Sequence, residues 1–309
     1  MIRDLLIEIG TEELPPKALP ALIDSFARHV SDGLHALGLE FSACQPFATP
    51  RRLALVITDL QTRQPDRNEQ KLGPAVAAAF AADGKPSKAA EGFARSNNTT
   101  VEALDRVVTD KGERLAFTQL ITGQPTQVLL PGVIDKALAE LPVPKRMRWG
   151  ASRAEFVRPV KWVTLVFGDE VIDTEILGIR SGGVSHGHRF HAPQAIAVNA
   201  GNYAESLRQA HVIADFAERR NLILQQIRAQ AESLGGRLGD DIDDLLDEVT
   251  ALVEWPVALS GQFDADFLAV PAEALISSMV EHQKYFYVLD SHGQLMPNFI
   301  TVANIDSEQ

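Results

Sequence analysis

The stretch Asp4-Leu5-Leu6-Ile7-Glu8-Ile9-Gly10-Thr11-Glu12-Glu13-Leu14-Pro15-Pro16 decides how the chain opens. Residues 4–9 form a short, nearly continuous apolar run, the pattern of a buried strand. Pro15-Pro16 then starts a helix, because proline is tolerated in a first turn where its missing N–H costs nothing. Leu19, Leu22, Ile23, Phe26, Val30, Leu34 and Leu37 recur at helical spacing until Gly38 stops the run. Residues 53–60 read as a return strand. Strand, helix and strand make an α/β opening unit over residues 1–60.

Residues 61–144 change character and read as a mostly helical lobe or insertion. Residues 61–71 are polar, as in a linker or loop. Short alanine-rich helices are expected over 74–82 and 87–96, broken by Asp83-Gly84 and Asn97-Asn98. A hairpin joins Val107-Val108 to 115–121. A helix over 125–141 follows, with Gly132 as its weak point. In residues 145–309, strands over 162–167 and 171–179 flank the turn Gly168-Asp169-Glu170, and 184–190 joins them. Helices are expected over 214–234, ended by Gly235-Gly236, and over 240–253. A last hairpin, 285–289 with 299–303, is apolar on both faces and so belongs in a larger sheet. The whole is α+β, with mixed or antiparallel sheets and flanking helices; the last region packs with 1–60 as one or two domains.

The chain has 309 residues, 45% of them hydrophobic, and a net charge of −12. Such a balance argues against indiscriminate coating of nucleic acid. The single cysteine, Cys44, has no internal disulfide partner, which fits a cytoplasmic setting. No apolar run reaches the ~18 residues of a membrane span, and the amino terminus lacks a signal-peptide pattern. Against the acidic background, Lys145, Arg146, Arg148, Arg153, Arg158 and Lys161 face one acid, Glu155. One basic stretch in an acidic body suits selective docking of RNA, although a solvated basic loop would look the same. Trp149 and Trp162 within it offer stacking surfaces or core residues. Arg51 and Arg52, after Pro50, precede a strand and can present two guanidinium forks at a sheet edge, or pair with surface acids. Lys284 is a weaker candidate of the same type.

Nucleotide loops are excluded: Gly84-Lys85 is followed by Pro86, and no dinucleotide-type glycine triplet follows a strand. Asp240-Asp241-Ile242-Asp243-Asp244 has the letters of a magnesium cluster, but an acidic helix start explains it directly. His186 and His188 share a strand face and, with His191, have metal-ligand spacing without a second ligand cluster. The other reading makes His188 and Arg189 a polar pair that contacts RNA or orders a loop. Gly183-Val184-Ser185-His186-Gly187 spells a serine-hydrolase elbow inside a strand-like run rather than at a strand-to-helix turn. No residue is assigned as catalytic and none as a metal ligand.

Ordered blocks along the chain carry a resemblance. They are Glu8-Ile9-Gly10-Thr11-Glu12-Glu13-Leu14-Pro15-Pro16, Thr49-Pro50-Arg51-Arg52-Leu53-Ala54, Met147-Arg148-Trp149-Gly150, Phe156-Val157-Arg158-Pro159-Val160 and Gly187-His188-Arg189-Phe190. Val253-Glu254-Trp255-Pro256, Phe267-Leu268-Ala269-Val270-Pro271, His282-Gln283-Lys284-Tyr285-Phe286 and Pro297-Asn298-Phe299-Ile300 complete the series. In this order they resemble the β subunit of the bacterial two-subunit glycyl-tRNA synthetase, over roughly its first half or slightly less. The resemblance implies an α2β2 glycine–tRNA ligase whose α subunit uses ATP and magnesium, with no cofactor in this chain. It implies tRNA(Gly) and the α subunit as partners, no DNA and no membrane. The fold it implies is a module like B3/B4 of the phenylalanyl-tRNA synthetase β subunit. The phosphohydrolase-like and anticodon-binding domains would lie elsewhere, in keeping with the lack of a His-Asp dipeptide here. The alternatives are an assembly scaffold without RNA contact and a residual deacylase built around His188.

Overall fold

The computed structural model describes residues 1–81, 84–143, 145–151 and 153–306. They fall into two compact units: Arg63–Pro125, and Met1–Thr62 together with the chain from Thr126 onward.

In the larger unit the strand β1 (Ile2–Thr11) is followed by a 3-10 turn, Pro16–Ala18, and the helix α1 (Leu19–Ala36). The strands β2 (Ala43–Thr49) and β3 (Arg52–Gln61) come next. β1 lies between β3 and the strand Val160–Phe167, antiparallel to both. The sheet continues past Val160–Phe167 to Ile179–Gly182, which pairs in parallel, and ends at Glu175–Ile176. Because side chains alternate faces, Leu5, Ile7 and Ile9 pack with α1 in one core while Leu6 packs in another with Phe47 and Tyr203. Glu8 and Arg52 fall on the second face, in the row of Leu6 and of Ala54 and Val56.

The helix Thr126–Ala139 contributes Leu130, Val133, Ile134 and Ala137 to the α1 core. It therefore belongs to the larger unit, not to the lobe expected over 61–144. A third core sits under the antiparallel sheet of Arg237–Leu238, Phe286–Leu289, Leu295–Ala303 and Val257–Gln262. The helices Phe216–Ser233 and Asp243–Thr250 cover it, and the terminal hairpin is part of this sheet, as its apolar faces require.

The smaller unit is a three-stranded antiparallel sheet, Arg67–Ala75, Gly112–Ile121 and Asp105–Thr109, covered by the helix Lys88–Ser96. Arg67–Ala75 occupies the place of the expected linker and of the start of the expected helix. It is an exposed edge strand held by backbone pairing, so no apolar alternation marks it. The helix expected over 74–82 shrinks to the single turn Val76–Ala79, and its limits at Ala82 and Asp83 lie outside the described residues. The strand expected over 171–179 is broken, because Leu177 and Gly178 take positive φ and turn the chain between Ile176 and Ile179. Residues 184–190 do not extend the main sheet either; Val184–His186 pairs with Ala195–Ala197 as a separate ribbon. Among the described residues no helix is long and apolar enough to cross a membrane.

Candidate functional site: a buried charge cluster beneath a cationic cavity

Three segments meet at the carboxyl end of β1. The Thr11 N–H donates to the Arg51 carbonyl (2.7 Å), the Glu12 N–H to the Pro159 carbonyl (2.9 Å) and the Leu14 N–H to the Pro50 carbonyl (2.6 Å). These bonds fix where the side chains of Glu12, Arg51, Arg158 and Lys161 begin.

Under this junction Arg52 is fully buried, 0% exposed, on the sheet face it shares with Glu8. Its guanidinium donates to Glu8 Oε1 (3.2 Å), Glu254 Oε1 (3.1 Å), Thr49 Oγ1 (3.1 Å), Ser185 Oγ (3.2 Å) and the His186 carbonyl (3.0 Å). The Thr49 hydroxyl donates to Glu254 (2.7 Å), and the Ser185 hydroxyl to Glu8 (2.8 Å). Burial alone would lower the Arg52 pKa, but Glu254 and Glu8 outweigh it and raise it. For Glu254, burial pulls upward while Arg52 and the Thr49 hydroxyl pull harder downward, so it stays a carboxylate. A second buried cation, Arg219, donates to the carbonyls of Ile213 (2.5 Å), Ala48 (2.8 Å) and Thr250 (3.0 Å). Burial brings its pKa down to about 10, with Glu254 opposing. Two carboxylates and two guanidiniums thus balance inside the fold, as interior charges must.

Above the cluster lies a cavity of about 310 Å³ lined by Glu12, Arg51, Lys161, Trp162, His186, Gly187, Arg189 and Pro193. Glu12 accepts from Lys161 Nζ (2.9 Å) through one oxygen and from Arg189 Nη2 (2.8 Å) through the other. The Lys161 ammonium, with Arg189, holds the Glu12 pKa below the usual carboxylate value despite some burial. Arg51 lies over the Trp162 ring, 5.6 Å from its centroid, and its buried Nε has no hydrogen-bond partner. Burial pushes the Arg51 pKa down, against the pull of Glu254. Trp162 in turn rests on Gly10, where a Cβ would fall 1.9 Å from the indole. Gly187 has the same role in the wall, since a Cβ there would meet the Ala192 carbonyl at 2.3 Å.

Of the residues singled out in the sequence, Arg51, Arg158, Lys161 and Arg189 gather around Glu12 and Glu13. Arg158 joins by donating to the Glu13 carbonyl (2.9 Å), and Arg189 also lies 3.9 Å from the Glu13 carboxylate. Arg52 and His188 do not present themselves to a partner, because both are buried. His188 Nδ1 accepts from the N–H groups of Phe190 and His191 (3.3 Å each), so it orders its loop. Burial lowers its pKa, as it does that of His186. Arg146 bonds the Ala139 carbonyl (2.8 Å), Arg148 pairs with Glu155 (2.5 Å), and Lys145 is exposed. Lys284 takes a left-handed conformation and pairs with Glu248 (3.0 Å), lining a different cavity.

The indole of Trp162, 7% exposed, offers no free face to a base, and Trp149 packs against the core. Ser185 is buried within the Glu8–Arg52 network, so the elbow-like letters carry no exposed nucleophile. No group of described residues could hold a metal ion. His191 Nε2 instead accepts the Asp306 N–H (3.1 Å), and Asp243 and Asp247 pair with Arg220 (2.7 and 2.5 Å).

Sequence reasoning missed Glu8, Glu12, Arg219 and Glu254 as site residues. Two had a signal: Glu8 interrupts an otherwise apolar strand, and Arg219 stands one helical repeat before the buried positions Ile223, Ile227 and Ala231.

The fold is thus a mostly antiparallel α+β frame with a cavity lined by three cations and one carboxylate. Comparison with known proteins supplies the lineage: the chain belongs to the glycyl-tRNA synthetase beta subunit family, whose model matches residues 5–309. It is 51% identical over 308 residues to the glycine–tRNA ligase beta subunit of Hahella chejuensis, and 50% identical to that of Marinobacter nauticus. To the Pseudomonas aeruginosa protein it is 49% identical over 309 residues. Each alignment takes in 99% of this chain and 44% of the relative, so the chain spans less than half the length of the relatives it matches.

Proposed function

We propose that this chain serves in glycyl-tRNA synthesis as a β-subunit segment that docks tRNA(Gly), while a separate α subunit performs the ATP- and magnesium-dependent adenylate chemistry. The observation that carries the docking role is the convergence of Arg51, Lys161 and Arg189 on one cavity with a single carboxylate among them. Guanidinium forks suit phosphate oxygens, and the contact is independent of base identity. On this reading the larger unit is a B3/B4-like module, working in the cytoplasm within an α2β2 assembly. The deacylase alternative finds no support in His188 or Ser185, which are closed off from solvent.

One observation favours the scaffold reading as a second role. Phe267, Leu268 and Val270 are 55%, 39% and 41% exposed in a segment without buried residues of its own, which suits packing against another subunit or domain. Titration of tRNA(Gly) against the chain at low and moderate salt tests the primary reading. Binding at about 50 mM salt that weakens steeply by about 200 mM is expected. No affinity at the lower salt would leave only the scaffold.

A further inference from the structure

We infer that the cavity beneath Arg189 is a binding site for a single phosphate group, the backbone phosphate by which an RNA strand is anchored to this chain. The inference rests on the docking reading above and assigns it one site.

Arg51 is the reason. Among the described residues no hydrogen bond or ion pair engages its guanidinium: the Nε is closed off without an acceptor, and the half-buried side chain lines the cavity. A charged guanidinium without a partner at a cavity wall favours an anion whose oxygens can accept from it. Glu12 does not fill that need: its oxygens accept from Lys161 and Arg189, and no hydrogen bond joins it to Arg51. Three cations against one carboxylate leave the cavity positive, and an incoming anion completes the set. Glu12 is then the resident competitor of that anion.

The shape argues for a backbone contact. A volume of about 310 Å³ corresponds to roughly ten water molecules, room for a phosphate and an adjoining sugar. Of the two rings in the wall, Trp162 has Gly10 beneath it, Arg51 over it and the His186 ring packed against it edge to face, so the two rings are turned to each other. Nothing here reads a base, so the anchor takes a phosphate whatever the sequence around it.

The test uses the whole chain and inorganic phosphate, followed through the arginine Nε–H resonances, with Arg51→Lys assigning the Arg51 signal. Acetate at equal ionic strength is the control. Phosphate should shift the Arg51 resonance saturably and acetate should not. Arg51→Ala should weaken phosphate binding by about tenfold or more. Arg51→Lys should fall between, because charge survives and the fork does not. Glu12→Gln should tighten binding by about twofold or more. An Arg51 resonance unmoved by phosphate, or unchanged phosphate affinity in Arg51→Ala, overturns the site; so does weaker binding in Glu12→Gln. A parallel tRNA(Gly) titration separates the two readings. If tRNA binds while phosphate leaves Arg51 untouched, only this site falls; if phosphate binds there and tRNA does not, the docking role and the RNA anchor fall together, and a site for free phosphate is what is left.

Discussion

Replacing Arg52 by Met leaves a near-isosteric apolar side chain where five hydrogen bonds converged. Glu8 and Glu254, 0% and 1% exposed, then lose their shared cation, and Ser185, Thr49 and the His186 carbonyl lose a donor. Removing one partner from a buried ion pair costs about 3–5 kcal/mol, because the other charge stays behind. With a urea m-value of roughly 3 kcal/mol/M, the midpoint should drop by about 1–1.7 M. Tryptophan fluorescence reads the right unit, since Trp149, Trp162 and Trp255 all belong to the larger one. The deficit should also depend on pH. In the native chain the Glu254 pKa lies below its ordinary 4.5, so its contribution is present above that value and lost as pH falls through the lowered one. Without Arg52, only the Thr49 hydroxyl, Arg51 and His188 still oppose burial, so the Glu254 pKa moves upward from its native position. The native advantage tied to Glu254 should therefore be complete above pH 4.5 and shrink as pH falls below it, so the two proteins should converge on acidification through that value. A loss below about 1 kcal/mol at pH 7, or a gap that does not narrow with acid, would refute the cluster's role as a closed charge network.

Gly10→Ala places a methyl 1.9 Å from the Trp162 ring; overpacking of this kind costs about 1–3 kcal/mol, and red-shifted emission should report the displaced indole. Burial holds His186 and His188 below their ordinary pKa of 6.5. Their contribution is therefore complete above that pH and erodes as pH falls from 6.5 toward the lowered values. His188→Asn retains an acceptor for the Phe190 and His191 N–H groups, so a urea-midpoint series should show a flatter acid slope between pH 6.5 and 5. An unchanged slope would mean that His188 does not resist protonation.

Local patterning revealed the core of the fold more readily than its charges. The opening strand and α1 follow from period and from Gly38, which ends the helix with φ 71°. The exposed strand Arg67–Ala75 is hidden from such patterning because its pairing is a backbone matter and both faces are polar. The turn at Leu177-Gly178 disappears inside an apolar run. Arg52 illustrates the larger difficulty: a second arginine after proline looks like a surface cation. Its burial depends on Glu8, 44 residues away, and on Glu254, 202 away, which no local window contains. The blocks that carry the family resemblance do converge in space, with Glu8, Thr49, Arg52 and Glu254 in the buried network and Glu12, Arg51 and Arg189 in the cavity.

The most direct measurement is the salt dependence of tRNA(Gly) affinity for the chain and for its Arg51→Ala, Lys161→Ala, Arg189→Ala triple variant. If those three side chains meet phosphate, the slope of log affinity against log salt should flatten in the variant by about 0.7–0.9 for each phosphate that is no longer neutralised, and affinity should fall. Equal slopes and equal affinities would contradict the account, leaving the cavity's positive charge without a nucleic-acid partner.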